Sequence, residues 1–340
     1  MKAPPPSLSG LRVLDLSIWR PGPYATSLLV ALGADVLKVE PPGGDPMRNF
    51  PDLFAAVNAG KRSLELDLKS PGNLARALQL ADEADVLVEG FRPGVMTRLG
   101  LDAATVRARN PALVYCSITG FGQEGVRAAR PGHDVNYQAW AGSLAPDGGT
   151  AVLPPLPIAD LASGLTAAFG ICASVLGRTT SGEGTHLDIS MTDVLSTWTG
   201  PSGSGTGQEG GGDAVPGYGL FATADGGQVA LGVVDEPHFW SALCRELGLD
   251  DVSELDFAAR RGRGDELQKA IGAAVAARPR DELVARLVRA GVPASPVLDR
   301  AGMLAAHPFP AFPIRLGVAG VPGGPPALDE HHGQGFLDRT

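Results

Sequence analysis

Between Leu11 and Glu40 the chain passes from a short apolar run (Leu11–Leu16), through the turn signal Pro21-Gly22-Pro23, into a helical stretch (Tyr24–Leu32, closed by Gly33). A second apolar run, Asp35–Glu40, follows. Strand, helix and strand joined by short connections form the unit of a parallel sheet. The alternation continues: Ser63–Leu68 reads as strand, Pro71–Ala84 as helix, Asp85–Glu89 as strand, Ala103–Asn110 as helix and Leu113–Thr119 as strand. Right-handed crossovers wind such a series into a Rossmann-like doubly wound α/β sheet. A helix over Asp160–Thr179 and a strand over Thr185–Met191 complete this region.

The pattern then changes. Residues 201–214 are rich in Gly and Ser and read as a linker. Beyond them Gly219–Ala224 and Gln228–Val233 flank Asp225-Gly226-Gly227, a hairpin signal, and Pro237–Leu247 and Gly264–Arg289 are helical. The expected organisation is a large domain over 1–200, a smaller α+β domain over 215–305, and a Pro/Gly-rich tail, 306–340, that returns to the large domain.

Composition narrows the function. At 340 residues, with 44% hydrophobic and 19% charged residues, the chain has material for two cored domains. A net charge of -9 argues against nucleic acid as a partner. An anionic ligand then needs a local basic cluster, and Lys38, Arg48, Lys61, Arg62, Lys69, Arg92 and Arg98 supply candidates, several at the ends of predicted strands where open α/β sheets bind ligands. Cys116, Cys172 and Cys244 lie far apart without metal-ligand spacing, as reduced thiols of a cytoplasmic protein do. The N-terminus carries no apolar signal-like segment and no apolar run approaches membrane-spanning length, so neither export nor a membrane is expected.

Few motifs carry chemistry unaided. Gly205-Thr-Gly207-Gln-Glu-Gly210 matches GxGxxG, but it lacks the preceding strand and following helix that a dinucleotide site requires. His133 sits among Gly132, Asp134, Asn136 and Tyr137 in a polar-aromatic loop after a strand. Asp160 begins a helix; there it either caps helix donors or stands beside amides able to stabilise an oxyanion.

Taken in order along the chain, the segments SGLRVLDLS, GADVLKVEPP, KRSLELDLKSP (Lys61–Pro71), DVLVEGFRPGVMTRLGL (Asp85–Leu101), SITGFGQEG (Ser117–Gly125), GHDVNY (Gly132–Tyr137) and GRTTSGEGTHLDISMTD (Gly177–Asp193) resemble the family of class III CoA-transferases and 2-methylacyl-CoA racemases (the CaiB/BaiF group). The resemblance implies a Rossmann-like large domain, a smaller domain, and two chains interlinked into a homodimer whose active site lies between domains of different subunits. Coenzyme A would enter as part of the substrate, with no tightly bound cofactor and no metal.

Within the family, Asp160 is a nucleophile in the transferases. The racemases resemble this chain in placing a His in GHD-x-NY opposite that Asp and a Glu-Pro after the second-domain hairpin. His133, Tyr137, Asp160 and Glu236 together match the racemases. Two positions depart. Leu161-Ala-Ser-Gly164 stands where racemases have a glycine-rich run, and Pro41 stands where an adenine- or phosphate-contacting Arg is frequent; Lys38 or Arg48 is the expected substitute. Carried over by position, Leu66, Leu68, Lys69, Glu89, Gly90, Phe91, Arg92 and Arg98 line the nucleotide and diphosphate site. Arg98 is the foremost phosphate ligand, and Gly132, Asp134, Asn136 and Tyr137 flank the reacting end.

Racemisation beside a thioester removes a proton from one face of the carbon and returns one to the other, which calls for two acid/base groups with matched pKa values. His133 and Asp160 are assigned to the two faces and Glu236 to orienting the imidazole. The alternative is CoA transfer through an Asp160 anhydride.

Overall fold

The computed structural model describes residues 6–144, 151–199, 215–306 and 323–337. The expected linker, with the GxGxxG match inside it, lies outside the described residues. The chain divides into two compact units, Met1–Gly203 with Ala311–Thr340, and Ser204–Pro310.

The first unit is built on six strands: β1 (Arg12–Asp15), β2 (Asp35–Glu40), β3 (Arg62–Glu65), β4 (Val86–Glu89), β5 (Val114–Thr119) and β6 (His186–Ser190). They pair in the order β3-β2-β1-β4-β5-β6, all parallel, which is the Rossmann-like doubly wound α/β sheet expected. Side-chain alternation sorts the strands onto two cores. Val13, Val36, Val86 and Val114 face α1 (Pro21–Ala31) and, from further along the chain, the long helix Ile158–Ser181. Their neighbours Leu14, Leu37, Leu87 and Tyr115 face the other side, with residues of α2 (Pro51–Asn58) elsewhere and of α3 (Pro71–Glu83), α4 (Val95–Leu99) and α5 (Ala103–Arg109) in that second core. α6 (Asp134–Trp140), α7 (Ile158–Ser181) and α8 (Met191–Thr199) complete the unit.

Three local expectations are corrected. Pro21-Gly22-Pro23 is the first turn of α1 rather than a turn before it, because proline loses nothing where the helix N–H groups have no intrahelical partner. The loop around His133 is helical from Asp134 onward. α7 is 24 residues long with a mean hydropathy of 1.6 over its most apolar window, which meets the length and composition of a membrane span despite the expectation that no run does. Ala162, Ala167, Ala168 and Ile171 on one side of it are buried in the α1 core, as in a central helix of a globular unit.

The described tail lies along edge strand β3. Asp329 Oδ1 accepts from Glu65 N (2.9 Å), His331 N donates to Ser63 O (3.0 Å), and Leu337 N reaches Asp35 Oδ2 (2.7 Å). A covered edge cannot template foreign strands.

The second unit holds an antiparallel sheet of β7 (Tyr218–Ala222), β8 (Gln228–Gly232) and β9 (Ala294–Pro296). Its helices are α9 (Pro237–Leu247), α10 (Phe257–Gly262), α11 (Gly264–Ala276), α12 (Arg280–Arg289) and α13 (Arg300–Ala306). The helical segment expected over Gly264–Arg289 holds two helices, divided at Pro279, which cannot continue the hydrogen-bond ladder.

Candidate active site

The winding of the first unit reverses between β1 and β4, so a crevice opens beyond the carboxyl ends of these strands. A cleft of about 910 Å³ occupies that place. Its walls are Ile18–Pro21 after β1, Gly90–Pro93 after β4, Ile118–Gly120 at the end of β5, Arg130–Asp134 with Asn136 and Tyr137, and Pro157 and Asp160 at the start of α7. Met47, Phe50, Leu53, Val95 and Met191 add apolar surface. An apolar cleft with a few convergent polar groups is the usual form of a small-molecule site.

Seven sequence candidates besides the expected catalytic pair meet here: Gly90, Phe91, Arg92, Gly132, Asp134, Asn136 and Tyr137, around His133 and Asp160. His133 is the N-cap residue of α6; its backbone N–H donates to Asn136 Oδ1 (3.0 Å), and its exposed ring meets the Trp19 indole edge-on at 6.2 Å. Tyr137 is buried, donating to Gly132 O (2.6 Å) and packing edge-on against Phe121. A Cβ at Gly120 would stand 2.1 Å from Tyr137 Cε1, so that glycine makes room for the ring. Gly120→Ala is expected to expel Tyr137, costing about 1–3 kcal/mol of stability and lowering kcat/KM. Urea unfolding with steady-state kinetics checks both.

Asp160 does not cap α7. Its own backbone N–H donates to Asp134 Oδ1 (3.1 Å), so Asp134 is the cap, and no hydrogen bond to the Asp160 carboxyl is found among the described residues. That carboxyl is pushed up to about 7, first by burial and then by the neighbouring Asp134, against a smaller opposing effect of Arg20. It can therefore hold or release a proton near neutrality. Of the amides expected to form an oxyanion hole, Asp160 N is taken by Asp134 and Leu161 N by Pro157 O (3.1 Å), and Ile158 and Ala159 are not part of the cleft wall.

Other expected ligands lie elsewhere. Lys38 is fully buried, its ammonium 2.9 Å from Asp45 Oδ2 and 2.7 Å from Ser17 O; packed into the core, it is closed to a phosphate. Arg48 is also engaged, paired with Glu40 (2.6 Å) and stacked 4.1 Å over Phe54. Glu89 is 2% exposed and accepts from Phe91 N (2.8 Å), so it shapes the Gly90–Pro93 loop rather than lining the main cleft. Burial, opposed by its bond to Ser117, pushes its carboxyl up to about 7. Leu66 is buried, Leu68 half-buried, and Lys69 and Arg98 exposed; none of the four lines the cleft wall. Glu236 belongs to the second unit. It is the N-cap residue of α9, accepting from Val234 N (3.2 Å) in a loop whose carbonyls at Val234 and Asp235 bind the buried Arg260.

Trp19, Arg20 and Arg130 also line the cleft without a motif to announce them. Their position was the available signal: Trp19 and Arg20 directly follow β1 on the ligand-binding side of the sheet. Trp19 holds φ at +62°, a conformation that costs a non-glycine residue about 1–3 kcal/mol and clusters at functional sites.

Comparison with known proteins agrees with this geometry. The family model described as CoA-transferase family III matches residues 8–311. The chain is 33% identical to the acetyl-CoA:oxalate CoA-transferase of Acetobacter aceti over 317 residues, covering 85% of this chain and 80% of that protein. It is 37% identical to the alpha-methylacyl-CoA racemase of Homo sapiens over 262 residues, covering 72% of this chain and 65% of that one. The crystal structure of Rv3272 from Mycobacterium tuberculosis superposes with a TM-score of 0.85 at 31% identity, covering 96% of this chain and 99% of that one. With the crevice, the carboxyl on its wall and these likenesses in hand, the chain belongs to CoA-transferase family III and is an enzyme of that family, whose members include both racemases and CoA-transferases.

Proposed function

We propose that this enzyme inverts the carbon next to the thioester of a 2-methylacyl-CoA by two-base proton transfer through an enolate. The observation that carries the reading is that His133 and Asp160 border one cleft, from different secondary-structure elements, with the Asp160 carboxyl poised to protonate near neutrality. A raised pKa reduces the ionised fraction available to a covalent nucleophile at neutral pH, although each carboxylate that is ionised attacks more strongly. A group that must both accept and return a proton works best near the ambient pH. In this scheme His133 serves one face and Asp160 the other. Coenzyme A arrives as part of the substrate. Phe91, Arg92, Arg98 and Lys69 are its proposed contacts, and Glu236 keeps the imidazole-orienting role that the resemblance implies. An interlinked homodimer is part of the same proposal.

The names of the relatives keep a second reading in view, CoA transfer with Asp160 as nucleophile. Incubating one epimer of a 2-methylacyl-CoA in deuterated water without an acceptor acid separates the two. Deuterium at C2 together with the opposite epimer is the expected result. A deuterium-free substrate that transfers its CoA once a carboxylic acid is added would overturn it.

A further inference from the structure

Among the three arginines that line the cleft, Arg92 and Arg130 are exposed, whereas Arg20 is half-buried. Among the described residues the Arg20 guanidinium has no hydrogen-bond or ion-pair partner, although the carboxyls of Asp134 and Asp160 border the same space. Taking a guanidinium partly out of water without a counter-charge is unfavourable, and its flat fork of donors suits a carboxylate best.

Its place is fixed by packing. A Cβ at Gly164, one helical turn beyond Asp160, would lie 2.7 Å from Pro21 O and 2.9 Å from the Tyr24 ring. The start of α1 therefore rests directly on the turn of α7 that carries Asp160, and Arg20 is the residue just before it. The charge of Arg20 is correspondingly felt at the Asp160 carboxyl. A coenzyme A diphosphate is separated from the thioester by the whole pantetheine arm, so a cation at the reacting carboxyl is badly placed to bind it. The anion it suits is one on the acyl group itself.

We propose that Arg20 is a specificity determinant for an acyl group bearing a second carboxylate, making the substrate the CoA thioester of a dicarboxylic acid rather than of a simple fatty acid. The proposal rests on the acyl-CoA reading above and holds for either reaction of the family. A fully apolar acyl chain would leave the guanidinium uncompensated when it displaced the cleft water, which is how a polar site rejects an isostere lacking the polar group.

The test is calorimetric binding to the full chain of three unreactive probes: free coenzyme A, S-butyl-CoA and S-(3-carboxypropyl)-CoA. The wild type is expected to bind the carboxylated thioether about tenfold or more tighter than the neutral one. In Arg20→Ala that ratio should fall to about one, and Arg20→Lys should restore part of it. Because the ratio is taken on a single variant, any general loss of folding or of coenzyme A affinity cancels. A wild type that binds both thioethers equally, or an Arg20→Ala variant that keeps the full preference, overturns the proposal while leaving the family reaction intact. Failure of free coenzyme A and both thioethers to bind removes the acyl-CoA reading and this proposal with it.

Discussion

Asp160→Asn is expected to lower turnover by about 10²–10⁴-fold, as the loss of a positioned acid/base group does, while making the folded chain more stable above neutral pH. Both effects come from one cause: a carboxyl held in poor solvent beside another acid. Its folded pKa of about 7 exceeds the ordinary value of 3.8, so the folded state binds the extra proton between about pH 4 and 7. Wild-type stability then falls as pH rises through that window. The asparagine variant lacks this decline. Its advantage should grow from near nothing at pH 4 to about 2–3 kcal/mol above pH 7, a figure reduced for the partial exposure of the site. Urea titrations at pH 5 and pH 8 read the difference, and an equal effect at both would show that the carboxyl is ordinary. His133→Ala supplies the companion measurement. It should reduce C2 exchange by about 10²–10⁴-fold in a racemase and barely alter a transferase.

The sheet was legible because its strands are short apolar runs separated by helices at regular intervals, and periodicity reports that directly. Burial of charge was not. Lys38 reads as one basic residue among several, and nothing local says that Asp45, seven positions on, will fold back to neutralise it. Glu89 likewise reads as a ligand because it adjoins Phe91 and Arg92, yet its carboxyl turns inward onto the Phe91 amide. The cap of α7 depends on Asp134, an acid 26 positions from Asp160 in sequence, so local capping rules pick the wrong aspartate. α6 escapes notice because seven residues make a marginal helix whose stability comes from packing. Arg20 is hidden by its neighbours, since Pro-Gly-Pro suggests a turn and draws attention away from the position that directly follows β1. His133, Asp160 and Tyr137 were found through family motifs, and the fold supplies what the motifs lack: a common cleft.

Lys61→Met is expected to cost about 3–5 kcal/mol, a large part of the stability of a typical domain, although Lys61 is outside the cleft wall. Its ammonium is fully buried, 3.0 Å from Asp15 Oδ2 and 2.9 Å from both Pro23 O and Asn58 Oδ1. Methionine fills the space but leaves Asp15 as a buried anion whose remaining partners are Ser17, Thr26 and the neighbouring Lys38. Asp15→Asn combined with Lys61→Met removes both charges and should recover part of the loss, because replacing a buried pair costs less than breaking it. Arg109→Ala makes a contrasting control: its partner Asp82 is 38% exposed and water can solvate what remains, so little change is expected. The same network reaches the active site. Asp15 holds the Ser17 amide (3.0 Å), Lys38 holds Ser17 O, and Asp45 receives the amides of Trp19 (3.3 Å) and Met47 (2.9 Å). Those bonds set the strained turn at Trp19 and, through it, the direction of Arg20. Lys61→Met should therefore lower kcat/KM under conditions where the variant is still folded, and the double variant should recover stability more fully than activity. Full activity in a folded Lys61→Met variant would mean that the loops after β1 and β2 hold their course without the buried charges.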